Sequence, residues 1–150
     1  NAGVMLPGPV ADSYLEDWRI TFEVNVFGAV ALTLALLPAL RSAGGQVVFI
    51  NSGAGLRVSP GMASYSASKF ALRAFADSLR SDEPALRVTT VYPGRTDSAM
   101  QQELVAFEGG QYDPARFLRP DTVAGVVANV VHTPPDAHVH EVVVRPRPPG

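Results

Sequence analysis

The run Gln46-Val47-Val48-Phe49-Ile50 constrains this chain more than any other stretch, because it is apolar without alternation. A strand wetted on one face alternates apolar and polar residues, whereas a continuous run marks a parallel strand covered on both faces. Leu86 to Tyr92 reads as a second buried strand of the same kind. Between them, Ser59-Pro60-Gly61 signals a turn and a helix entry, and Met62 to Arg80 reads as a helix closed by Asp82, Glu83 and Pro84. The small residues Ala63, Ser64, Ala67, Ser68, Ala71 and Ala74 give that helix a face that another helix can approach closely.

The flanking segments follow the same alternation. Pro7-Gly8-Pro9 is a loop, and Ser13 with Glu16 forms a capping box that opens a helix. From Tyr14 to Arg41, apolar residues including Leu15, Trp18, Phe22, Val26, Val30, Leu34 and Leu37 recur at helical spacing, giving one long helix or two abutting ones that end at Gly44-Gly45. The segment from Ala99 to Leu118 is irregular, with Gly109-Gly110 and Asp113-Pro114, and is long for a plain connection. A helix is expected from Pro120 and Asp121 to about His132, a last strand from Glu141 to Arg145, and a frayed tail from Pro146 to Gly150.

Chemistry concentrates after the first strand. Ser52 follows it directly, and in doubly wound sheets the carboxyl ends of strands are where ligands sit; the plainer alternative for Ser52 is turn chemistry. Tyr65 and Lys69 are four positions apart. On one helix that spacing puts both side chains on the same face, about 6 Å apart along the axis. A cation at about 4 Å, in an effective dielectric of about 20, favours a phenolate by up to about 4 kcal/mol. Lys69 is therefore expected to lower the Tyr65 pKa and make the phenol a general acid/base. Ser52 offers a hydroxyl hydrogen bond to an oxygen on which negative charge develops. The bland counterpart of the pair is an ordinary helix-surface contact. Two hydrolase readings fail on the residues: a nucleophile elbow needs glycine where Ile50 stands, and Ser66-Ala67-Ser68-Lys69 lacks its companion motifs.

Five motifs, in order and spacing, carry a resemblance: Asn1-Ala2-Gly3, Asn25 with Gly28, Asn51-Ser52-Gly53, Tyr65-Ser66-Ala67-Ser68-Lys69 and Pro93-Gly94. Together they resemble the short-chain dehydrogenase/reductase family from Asn1 to about Val144. The resemblance implies an α/β, Rossmann-type doubly wound parallel sheet, with residues 1–150 as one domain that lacks its N-terminal half. It implies NAD or NADP as cofactor, a small carbonyl or alcohol substrate, and a catalytic set of Asn25, Ser52, Tyr65 and Lys69. Asn25, which on the residues alone is a satisfied core amide or a kink, would mark a helix irregularity and help hold a water linked to the lysine. Cofactor contacts are implied at Asn1, Ala2, Gly3, Tyr65, Lys69, Pro93, Gly94, Thr96 and Ser98. Thr96 and Ser98 depart from the usual pattern, which has a branched aliphatic and a threonine there. The family places a substrate-covering segment at 99–118, so Met100, Leu104, Tyr112 and Phe117 are pocket candidates, with loop packing as the alternative. Subunit pairing through two helices implies a homodimer or homotetramer of the full-length protein.

In the family the glycine-rich cofactor turn lies upstream of Asn1, so the chain reads as the C-terminal portion of a longer protein. A competing expectation is that the 150 residues alone are a non-catalytic fragment, or part of a degenerate, regulatory relative, with the Val47 to Ile50 strand as an exposed apolar edge. The rest of the composition narrows the partners. A hydrophobic content of 47% suits one sizeable core, and a net charge of -2 suggests neither a nucleic-acid face nor an acidic tail. No cysteine is present, so disulfides and thiol chemistry are excluded, which suits a reducing cytoplasm. No apolar run free of breakers reaches the ~20 residues needed to span a bilayer, so no membrane partner is expected. His132, His138 and His140 match no metal-ligand spacing, and no metal is expected.

Overall fold

A computed structural model describes residues 2–147; the expected contact at Asn1 lies outside them. Its centre is a three-stranded parallel sheet in the order β1-β2-β3, formed by β1 (Gln46–Ile50), β2 (Arg87–Pro93) and β3 (Glu141–Val144). In this register Val47 pairs with Val88 and Phe49 with Thr90, while Val91 pairs with Val142. The order leaves β1 at the edge of the sheet as described.

Helices α1 (Leu15–Phe22) and α2 (Gly28–Ala43) are joined without a break by a π-helical turn, Glu23–Phe27. With α3 (Ala63–Asp82) they cover one face of the sheet. There Phe49 and Val88 meet Leu72, Ala76 and Leu79 of α3, and Ala29, Leu37 and Leu40 of α2 pack against the cluster. Because strand side chains alternate, Val142 projects from the opposite face, where it shares a cleft with Val126 and Val130 of α5 (Pro120–Val131).

Three expectations need correction. The first helix starts at Leu15, and its cap differs: the Asp17 carboxylate accepts the Tyr14 N–H at 3.3 Å. Ser13 instead donates its hydroxyl to the Val10 carbonyl and accepts the Trp18 indole N–H. Secondly, the segment read as irregular contains a helix, α4 (Ala99–Phe107), followed by a 3-10 turn at Pro114–Arg116. The signal was in the sequence: the Ser98 side chain caps Gln101, and Met100, Leu104 and Phe107 repeat at helical spacing. Thirdly, the expected long helical stretch forms over Leu15–Ala43, but its 29 residues are long and apolar enough to cross a membrane by length and composition, where no run of that kind was expected. Gly28 and Pro38 are both carried inside helical backbone.

The end of the sheet holds a pH-sensitive contact. His138 Nε2 lies 2.8 Å from the Val88 nitrogen and extends the strand ladder where β3 has not yet begun. Burial holds this imidazole below its ordinary 6.5, and His140, Arg80 and Arg87 push it the same way. A depressed histidine is protonated more readily in the unfolded chain, so its contribution is present above pH 6.5 and is lost as pH falls through the folded value. We expect His138→Gln to flatten the acid side of the stability profile below pH 6.5, measured by urea midpoints. An unchanged acid limb would remove the contact as its cause.

Candidate active site

The carboxyl ends of β1 and β2 open toward the first turns of α3, and this is where the candidate residues meet. Ser52 leaves β1 in an extended conformation and accepts the Ala54 N–H at 3.2 Å, capping the short turn Gly53–Gly55. The Ser52 hydroxyl is near enough to the Tyr65 phenol to draw its pKa down. Tyr65 is buried in the first turn of α3, against Met5 and Met62, with Met100 and Leu104 of α4 packed alongside. Two of the four pocket candidates thus join the cluster that contains Tyr65. The other two do not join this cluster: Tyr112 and Phe117 stack on each other at 5.2 Å, with Tyr112 bonded to Asp97 and the Arg95 guanidinium over Phe117.

Lys69 follows one turn after Tyr65 and is 6% exposed. Its ammonium lies 5.7 Å from the Tyr65 ring centre and donates to the Ile50 carbonyl at 3.4 Å. This corrects the expected electrostatics. Burial, the larger influence, raises the Tyr65 pKa above 10 despite the pull of Ser52, and burial lowers Lys69 to about 8. In this arrangement the neighbouring cation does not acidify the phenol, because both groups have left water and the ammonium is turned to a backbone carbonyl. The phenol is consequently held as a proton donor. Lys69 is a nearly buried ammonium with three donors and a single long hydrogen bond among the described residues. That fits a ligand bringing hydroxyl oxygens, as a nicotinamide ribose does.

Asn25 stands in the π-helical turn, where the lengthened backbone aims its amide at two other segments. It exchanges hydrogen bonds with both backbone groups of Val4 at 2.9 Å and donates to the Ser68 hydroxyl at 3.0 Å. Ser68 in turn donates to the Tyr65 carbonyl at 2.7 Å. Asn25 is thus a satisfied core amide that braces α3 beneath Tyr65 and anchors the segment after Ala2 and Gly3. A side chain at Gly3 would meet the Asn25 oxygen at 3.6 Å, an ordinary contact.

The loop after β2 is tightly held. The Gly94 N–H donates to Val144, Thr96 donates its hydroxyl to the Gly94 carbonyl, and Thr96 pairs with Leu118. The Ser98 hydroxyl donates to Thr96 and caps α4, so its local role is helix initiation. Pro93 ends β2, half-buried at the carboxyl end of the central strand.

Sequence reasoning gave no role to Asn51 or Gly55. Asn51 is 5% exposed, and its amide bonds both the Ser52 N–H and the Lys69 carbonyl. Gly55 is required by space: a Cβ there would lie 2.5 Å from Asn51 Oδ1 and 2.9 Å from the Lys69 carbonyl oxygen. We expect Gly55→Ala to cost about 1 to 3 kcal/mol of stability through overpacking, read as a lower denaturant midpoint. A midpoint equal to wild type would mean that the turn accommodates the methyl group.

Comparison with known proteins identifies the family. The sequence profile described as short chain dehydrogenase matches residues 1–109. An uncharacterized oxidoreductase of Schizosaccharomyces pombe is 38% identical over 102 residues, covering 67% of this chain and 41% of its own length. Dehydrogenase/reductase SDR family member 7B of Mus musculus is 37% identical over 115 residues, covering 75% of this chain and 36% of its own. Among solved structures, an alcohol dehydrogenase from the archaeon Thermococcus sibiricus, complexed with 5-hydroxy-NADP, superposes with a TM-score of 0.87 at 25% identity. It covers 100% of this chain and 63% of its own. The chain spans under half the length of the two curated relatives.

Proposed function

Because this chain belongs to the short chain dehydrogenase family, we propose that in its full-length protein it forms the catalytic part of an NAD(P)-linked oxidoreductase acting on a small carbonyl or alcohol. The observation that carries this is the buried Tyr65 phenol held beside the Ser52 hydroxyl at the carboxyl end of β1. Two hydroxyl groups from separate elements, converging on one position in an apolar wall, form a site for a single substrate oxygen.

The dinucleotide, when bound, supplies the hydride for reduction or accepts it in oxidation. Tyr65 gives its proton to the carbonyl oxygen as that oxygen gains charge, and takes it back from the alcohol in the reverse direction. Ser52 donates a hydrogen bond to the same oxygen, where a fixed donor in a water-poor site stabilises developing charge. Lys69 would hold the ribose hydroxyls. Pro93, Gly94, Thr96 and Ser98 would border the nicotinamide, and Ala2 and Gly3 would contact the dinucleotide beside it. Asn25 keeps α3 and the Val4 segment in register. Met100 and Leu104 form the apolar lid over the phenol.

Oligomerisation is part of the proposal. Leu32, Leu34 and Leu36 of α2 and Phe70 of α3 are exposed, and we propose that the full-length protein pairs through these helices as a homodimer or homotetramer. The central test follows nicotinamide absorbance while the full-length protein meets NADH or NADPH and a panel of small aldehydes and ketones. Turnover with one of these substrates is expected. Absence of both turnover and dinucleotide binding would sink the proposal.

A further inference from the structure

A hydroxyl that must meet a developing charge is effective only when its backbone is held to within about half an ångström. Ser52 sits on a turn, and on its own that turn would not provide such precision. The residue before it does. Asn51 anchors its own N–H on the Val91 carbonyl of β2 at 2.8 Å. Its side-chain oxygen accepts the Ser52 N–H at 2.8 Å, and its side-chain nitrogen donates to the Lys69 carbonyl at 3.0 Å. One planar amide therefore ties the backbone of Ser52 to the turn of α3 that carries Tyr65 and Lys69.

The two bonds have opposite polarity, and a carboxamide offers both from one group. Aspartate would keep the acceptor toward Ser52 but set an oxygen against the Lys69 carbonyl. Alanine would supply neither bond. Gly55 makes the arrangement possible, since a side chain there would occupy the amide's place. Tyr65 and Ser52 come from different elements, so the distance between their oxygens is set by whatever fixes β1 against α3. Asn51 is the polar link that does so from within the Ser52 turn.

We propose that Asn51 is a positioning residue that sets the Ser52 hydroxyl against the Tyr65 phenol. This rests on the function proposed above and assigns it a further residue. In the full-length enzyme, Asn51→Ala is expected to lower kcat by about 10- to 100-fold. The dissociation constant for NADH or NADPH, read by nucleotide fluorescence, should stay within about twofold of wild type, because Asn51 touches no cofactor-facing side chain.

Added to Ser52→Ala, the same change should cost less than about twofold more, because the group it positions is already gone. Asn51→Asp should fall between wild type and Asn51→Ala. A full, multiplicative loss in the Ser52→Ala background would overturn the proposal, as would wild-type kcat in both Asn51 variants. Should Asn51→Ala fail to fold, the comparison is made with Asn51→Asp, and failure of both to fold would mark the amide as purely structural. Tyr65→Phe separates the two levels. An active Tyr65→Phe removes the proposed function itself, whereas an inactive one with independent Asn51 and Ser52 effects removes only the role of Asn51.

Discussion

Replacing Tyr65 with phenylalanine is expected to lower kcat of the full-length enzyme by about 10²- to 10⁴-fold, the usual worth of a positioned proton donor. The fold should tolerate the change. The ring is buried in a cluster with Met5 and Met62, and phenylalanine keeps that apolar packing. What is lost is one oxygen beside the Ser52 hydroxyl, with a net effect on stability of about 1 kcal/mol. Dinucleotide affinity should change little, since Lys69 and the loop after β2 are untouched. Steady-state kinetics beside fluorescence titration of the nucleotide measures both quantities, and undiminished kcat would remove Tyr65 as the proton donor.

Lys69→Met should act in two opposite directions. Turnover should fall by at least about 10²-fold, with weaker dinucleotide binding, because the ammonium proposed to hold the ribose is gone. The cofactor-free protein should become more stable. Burial lowers Lys69 from 10.5 to about 8, so the folded state disfavours its charge by an amount on the order of 3 kcal/mol. The sign follows from where the proton resides. Below about pH 8 the lysine is charged in both folded and unfolded chains, and the penalty is present in full. Between about 8 and 10.5 the folded protein releases its proton first, so the penalty fades as pH rises. The melting temperature of Lys69→Met at pH 7 should therefore exceed wild type by roughly 5 °C or more, and the gap should shrink by pH 10. A lower melting temperature at pH 7 would show that the Ile50 contact outweighs the burial. Such a site, destabilising in the empty protein and needed for turnover, is where stability and activity conflict.

Much of this was legible in the residues. The unbroken Val47 to Ile50 run marked a parallel strand, although only Phe49 of it is buried because β1 lies at the sheet edge; the four-residue spacing of Tyr65 and Lys69 required neighbours on one helix, by backbone periodicity alone. The Ser52 turn at a strand's carboxyl end was legible for the same reason. Helix α4 was missed because Gly109-Gly110 and Asp113-Pro114 dominated the reading of a segment whose first nine residues are regular. The long helical stretch Leu15–Ala43 was legible from its apolar spacing, whereas the π-helical turn that joins its two parts was not.

The sequence by itself determined which groups stand on which element, since 3.6-residue and two-residue periods are local properties of the backbone. Only the tertiary structure decided what those groups feel. Whether Lys69 acidifies Tyr65 depends on where a flexible ammonium finds its acceptor and on how much water remains, and the fold turns it to the Ile50 carbonyl in a buried site. The same holds for Asn51, a plain strand-end residue in the sequence, which becomes a tie between β1 and α3 because the folded chain brings the Lys69 carbonyl to 3.0 Å from its amide. Desolvation and long-range hydrogen bonding depend on segments that meet only after folding, and no local pattern encodes them.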